Sequence, residues 1–294
     1  MRIDPGPETL GARIEDIDLG DNLAPADIIA ILRALGEYGV LCFPNQSFAT
    51  ARFAAFGRRF GDLAVNIAND HHEADFPEVM ILSNMTHDGA PIGLGDAGQG
   101  WHTDQSYSHD IALCNILHAH HVPRRHGKAL GDTQFLNMHA AYEGLPGTWK
   151  ERLADRTATH DFEKFWDVMR SRPGSHRGPM TAQQKAAKPP VSQPIFRTHP
   201  ITGRTVLYCN SGYAIRINGM DADESGDVLA FLFAHQERDA FRHTHSWTEG
   251  DVLMWDNIGT VHQAIADYGP DEHRYMRRVQ VMASLDYPEL LGRS

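Results

Sequence analysis

Residues 252–281 read VLMWDNIGTVHQAIADYGPDEHRYMRRVQV. VLMW has the unbroken apolar character of a strand buried on both faces. A turn follows and leads to His262. A second strand, bearing Arg274 and Arg278, comes next. Side chains alternate along a strand, so residues four apart share a face. Two arginines on the inner face of a β-structure are costly unless they meet anions, and guanidinium grips carboxylates with a planar two-pronged contact. In a jelly roll, strands distant in sequence lie side by side, so His262 can complete a site begun far upstream. The upstream part is GWHTDQSY, residues 100–107. His102 and Asp104 are two metal-binding groups separated by one residue, and at a strand end they would project together. One more imidazole makes a two-His, one-carboxylate set, which leaves coordination positions open and is diagnostic of non-haem iron oxygenases.

The rest of the chain supports a mainly β fold with flanking helices. EVMILSN, CNILHAHHV, GDTQFLNM, PIFRTH, RTVLYCN, YAIRIN and YMRRVQVMA are strand candidates bounded by Gly, Pro, Asn or Asp. PADIIAILRALGEYG starts with Pro25, places Ile28, Ile29, Leu32 and Leu35 at helical spacing and stops at Gly39. SFATARFAAFGRRFG predicts a second helix with Phe53, Phe56 and Phe60 on one face. DADESGDVLAFLFAHQER is a third, with capping-box spacing from Asp221 to Glu224. MHAAYEGLP is a shorter one. Residues 162–194 are polar, basic and rich in Pro and Gly; they read as a long loop or lid inserted into a single domain spanning 1–294.

Composition sets the outer bounds. The 294 residues carry a formal net charge of −11, which is poorly suited to counterion-driven nucleic-acid binding. RSRPGSHR and RRVQ are the basic stretches, and both are short. No apolar run nears the ~20 residues of a membrane span, and the N-terminus lacks signal-peptide features. Three scattered cysteines point to a reducing compartment. A cytoplasmic protein without membrane or nucleic-acid partners is expected.

WHTD, GDTQFLNMHAAYEGLP and WDNIGTVHQAIADY with RYMRR together resemble the taurine dioxygenase and 2,4-dichlorophenoxyacetate dioxygenase (TauD/TfdA) family. The likeness extends to VLCFP, FGRRFGDL and PIFRTHPITGRTVLYCN, and so covers nearly the whole chain. It implies a double-stranded β-helix (jelly roll) and a dioxygenase using Fe(II), 2-oxoglutarate and O2. By the same resemblance, His102, Asp104 and His262 are iron ligands. Arg274 and Thr133 hold the distal carboxylate of 2-oxoglutarate, and Arg278 contacts a small anionic substrate. Asn66 is a further substrate-site position by that resemblance; Tyr107, with Gln105, His160 and Phe162, is a pocket candidate by its proximity to the motifs. Asn66 stands where the taurine enzyme carries a histidine after FGxL, which weakens taurine itself as substrate. Asp104 argues against halogenation, because related halogenases lack that carboxylate. The family commonly forms homo-oligomers, dimers or tetramers. Two rival readings are a zinc hydrolase on a jelly-roll scaffold, using the same three ligands and a metal-bound water, and a non-catalytic jelly-roll binding protein. Among the 18 histidines, His118 and His120 share a strand face but lack a nearby carboxylate. They are read as structural or surface residues.

Overall fold

The computed structural model describes residues 1–65, 71–172 and 177–292. An eight-stranded sheet forms its largest layer. In chain order its strands are β1 (Arg2–Pro5), β2 (Ala12–Glu15), β3 (Val40–Phe43), β4 (His72–Glu73), β5 (Phe76–Ser83), β6 (Ala112–His121), β7 (Val252–Asp256) and β8 (Tyr275–Met282). Their spatial order is β1-β2-β3-β7-β6-β8-β5-β4. Two of the three strands of the 252–281 stretch, β7 and β8, therefore flank β6 at the sheet centre, paired antiparallel to it on either side, while Thr260–Ala264, which carries His262, belongs to another sheet. This placement explains the two-sided apolar character of VLMW. Val252 and Met254 join the core shared with the helices, whereas Leu253 and Trp255 belong to a second core on the opposite face.

The helix face is covered by α1 (Pro25–Tyr38) and α2 (Thr50–Gly57), which bury Ile31, Leu32 and Leu35, and Phe53 and Phe56, against the sheet. Pro25 opens α1, where its missing N–H costs nothing. Gly39 closes it at φ +68°, donating its N–H to the Leu35 carbonyl. A Cβ there would sit 2.6 Å from Leu10, so the positive φ and the close approach both require glycine. The second core lies between the large sheet and a three-stranded one made of Arg242–His245, Thr133–Asn137 and Thr260–Ala264, with Thr133–Asn137 in the middle. Phe135 from the small sheet meets Trp255 from the large one at 5.6 Å. Arg242–His245 is an edge strand of this small sheet.

Two expectations need correction. His102 and Asp104 do not lie on a strand. His102 forms a single antiparallel bridge with His262, and Asp104 already belongs to the turn that follows. That turn includes Gln105 at φ +59°, an uncommon conformation for a residue with a Cβ. Nor is 162–194 a structureless loop. It contains helices Phe162–Arg170 and Ala182–Ala187 and the strand Val191–Pro194. The signals were present: Phe162, Phe165, Trp166 and Met169 follow helical spacing, and Thr181 with Gln184 completes a capping box. Residues 173–176, inside this segment, lie outside the described residues, as does Asn66.

Candidate active site

Between the two sheets, and beneath the 162–194 helices, lies a cavity of about 380 Å³. His102, Asp104, Thr133, His262, Arg274 and Arg278 all line it, although 176 residues separate the first from the last. Ligand atoms of His102, Asp104 and His262 lie within 4.8 Å of one another. The backbone bridge accounts for this convergence. His102 N–H donates to the His262 carbonyl at 3.0 Å and His262 N–H to the His102 carbonyl at 2.8 Å, which sets the two rings 4.3 Å apart.

Two of the three donors, His102 and Asp104, are held from behind. His102 Nδ1–H donates to the Gly100 carbonyl at 2.8 Å, a tautomer assigned from that bond. Its Nε2 lone pair then faces Asp104 Oδ1 at 3.4 Å. Two acceptors this close are repulsive unless a cation or proton lies between them, so the pair suits a metal ion. Asp104 Oδ2 accepts from Gln280 Nε2 at 3.0 Å and Arg278 Nη1 at 3.3 Å. Burial raises the Asp104 carboxyl, but His102, when it carries a proton toward Asp104, and the Arg278 charge outweigh it, so the group stays well below the usual carboxylate range. Burial pushes His262 well below its ordinary value, so it is a neutral imidazole.

Sequence reading did not find the clamp beneath Asp104. Asn257 Oδ1 accepts the Asp104 N–H at 3.1 Å, and its Nδ2 donates to the Asp104 carbonyl at 2.7 Å. Asn115 links Asn257 to Gln280, and Gln105 Nε2 donates to Gln280 Oε1. Each amide in this buried network is satisfied, which fixes one orientation of the carboxylate.

Arg274 is buried, and Nε has no hydrogen-bond partner. Burial lowers its pKa, against a smaller opposing effect of Tyr268. A Cβ on Gly131 would lie 3.1 Å from the Tyr268 ring and 3.3 Å from Arg274 Nε, so the glycine of GDT makes room for the guanidinium. Thr133 Oγ1 accepts from Trp247 Nε1 at 3.0 Å, and its own hydrogen remains to donate. Arg277 faces the other way and pairs with Glu73 at 2.6 Å.

Tyr107 and Phe162 line the cavity too. Gln105 lines an adjoining one and serves Gln280. His160 is held behind the wall against Ser106 Oγ at 3.1 Å, and burial lowers it to about 3. His118 donates to the Gln46 carbonyl and belongs to no metal-binding cluster among the described residues. Two other trios could hold an ion. His139, His199 and Asp256 are completely enclosed; His199 Nδ1 accepts two backbone N–H groups, so its Nε2–H donates to Asp256. Cys42, His245 and Asp251 include a thiol that burial pushes up to about 12. Neither trio lines the cavity.

A mainly β chain carrying this donor set is, in class, an Fe(II)- and 2-oxoglutarate-dependent dioxygenase that consumes O2. The chain belongs to the taurine catabolism dioxygenase TauD, TfdA family, whose model matches residues 2–280. It is 31% identical to pentalenolactone F synthase of Streptomyces arenae over 296 residues, covering 98% of this chain and 97% of that one. It is also 31% identical to the alpha-ketoglutarate-dependent 2,4-dichlorophenoxyacetate dioxygenase of Cupriavidus pinatubonensis, covering 92% and 94%. Among solved structures, AAD-2 in complex with Mn(II) and N-oxalylglycine superposes with a TM-score of 0.78 at 26% identity, covering 97% and 98%. Among the described residues, no helix is long and apolar enough to cross a membrane.

Proposed function

We propose that the enzyme hydroxylates a small organic anion, with His102, Asp104 and His262 holding the iron and Arg274 and Thr133 holding the far carboxylate of 2-oxoglutarate. The observation that carries this reading is the convergence of three ligand atoms within 4.8 Å in a cavity that also holds a buried arginine, Arg274, paired with no carboxylate among the described residues. A buried guanidinium is costly unless an anion meets it, and a dicarboxylate chelating the metal by one end would deliver one. When bound, iron with 2-oxoglutarate and O2 supplies the oxidant, and 2-oxoglutarate leaves as succinate and CO2.

The chain's own residues do the rest. His102 keeps its Nε2 lone pair toward the metal because Gly100 holds its other nitrogen. Gln280 and Arg278 keep one Asp104 oxygen occupied, leaving the other for the ion. Phe165 packs on the His102 ring at 4.8 Å, and Tyr213 on Phe165 at 5.2 Å, an apolar wall that keeps water from the reacting centre. Arg278 and Tyr107 face the substrate. The large and small sheets are read as the two walls of a double-stranded β-helix, forming a single domain. The 162–194 segment is read as its lid, pinned by Arg177 to Asp96 at 2.7 and 2.6 Å and braced internally by Trp166 Nε1 donating to the Gly178 carbonyl. A small acid fits the relatives, one of which is named for 2,4-dichlorophenoxyacetate.

The test is anaerobic addition of Fe(II) and 2-oxoglutarate, followed by air. A weak visible absorption band that needs both additions, and succinate release stimulated by a member of an acid panel, are the expected results. A zinc hydrolase or a binding module would show neither. The outer shell is tested by Gln280→Met, which keeps the volume and removes the donor to Asp104. Anaerobic titration should show iron affinity falling about 10- to 100-fold, and unchanged affinity would refute this role of Gln280.

A further inference from the structure

Among the described residues, the charges lining the cavity do not balance. Two carboxylates, Asp96 and Asp104, face four cations: Arg177, Lys188, Arg274 and Arg278. Asp96 is taken by Arg177 and Asp104 by Arg278. The two cations left over are Arg274 and Lys188. Arg274 is the anchor for 2-oxoglutarate in the reading above. Lys188 has no such assignment, and no motif of the sequence singles it out.

Its position is built rather than incidental. Lys188 ends the helix Ala182–Ala187, its N–H bonded to the Lys185 carbonyl. Pro189 follows, and a residue before proline is driven out of the α region; Lys188 indeed sits at φ −135°, ψ 65°. The strand Val191–Pro194 then ties the chain into a sheet. The half-buried ammonium group rests on two aromatic faces, 4.0 Å from the Phe162 centroid and 5.0 Å from that of Tyr107. Burial lowers its pKa, and Asp104 offsets this from a distance. A contact with ring faces is a weaker partner for ammonium than a carboxylate or sulfonate oxygen. Beside it, Phe165, Trp166, Met169 and Met180 supply an apolar wall.

We infer that Lys188 is a specificity-determining residue: its ammonium group, carried in by the 162–194 segment, binds the anionic group of a substrate whose apolar body lies against that wall. Arg278, already engaged by Asp104, is then the secondary contact, and the substrate class is an amphipathic acid with a ring-sized apolar part. This rests on the proposed oxygenase reading.

The experiment uses the iron- and 2-oxoglutarate-loaded enzyme under anaerobic conditions, so that binding is read without turnover. Calorimetric titrations compare 2,4-dichlorophenoxyacetate, benzenesulfonate and hexyl sulfate, each against a neutral amide or alcohol of the same shape. Wild type should bind at least one acid more tightly than its neutral counterpart. Lys188→Met should weaken that acid about 10- to 100-fold and leave the neutral compound within twofold, and Lys188→Arg should restore most of the loss. If wild type does not prefer the acids, if Lys188→Met weakens acid and neutral compound alike, or if it weakens neither, the inference is overturned. The oxygenase reading is judged separately, on wild type: without the iron- and 2-oxoglutarate-dependent band it falls, and with the band present a negative Lys188 result removes only the role of Lys188.

Discussion

His102→Ala and Asp104→Ala are each expected to lower succinate formation more than ~100-fold, because changes to the outer shell of a metal site alone typically cost about 10- to 100-fold. The two losses differ in kind. His102→Ala removes one neutral donor and leaves Asp104 Oδ1 without its neighbour at 3.4 Å. Asp104→Ala removes the only negative charge in the trio, and with it the acceptor for Arg278 and Gln280. Arg278 then remains as an unopposed cation beside the place where a dication must bind, so Asp104→Ala should give the weaker iron binding of the two. Folding should survive both changes. The backbone of this turn is held by Asn257, by the bridge to His262 and by Thr103 Oγ1 donating to the Thr260 carbonyl, none of which uses the deleted atoms. Circular dichroism should therefore match wild type while anaerobic iron titration fails. Near-normal iron affinity in Asp104→Ala would remove that carboxylate from the ligand set.

Arg274→Ala carries the second large effect. Truncating one partner of a buried, hydrogen-bonded charge pair costs about 2–5 kcal/mol, and each 1.4 kcal/mol is about tenfold. The KM for 2-oxoglutarate should thus rise from about thirtyfold to several thousandfold. The KM for the primary substrate should move little, because the proposed anion contacts are Arg278 and Lys188. Arg274→Lys should recover only part of the loss, since ammonium keeps the charge but not the two-pronged grip. Its shorter reach also leaves unfilled the space that Gly131 opens beside Tyr268. A variant in which the substrate KM rose and that of 2-oxoglutarate did not would exchange the roles of the arginines.

What could be read from the sequence was whatever depends on near neighbours. Unbroken apolar runs such as VLMW marked the central strands, and Pro25, Gly39 and Asp221 marked helix ends. The HxD pair, the late histidine and the two arginines named the donors by chemical type. The 162–194 helices were legible by the same rules, in Phe162, Phe165, Trp166 and Met169 and in the Thr181 capping box, but their Pro- and Gly-rich surroundings outweighed those signals. Only the tertiary structure decided which distant groups meet. The bridge between His102 and His262, the hold of Asn257 on Asp104 across 153 residues, that of Gln280 across 176 and that of Trp247 on Thr133 across 114 leave no periodic trace. Hydrophobic patterning shows which face of a strand is buried, because burial acts on each side chain separately. Partnership across a core depends on strand order and register, and those follow from packing the whole chain at once.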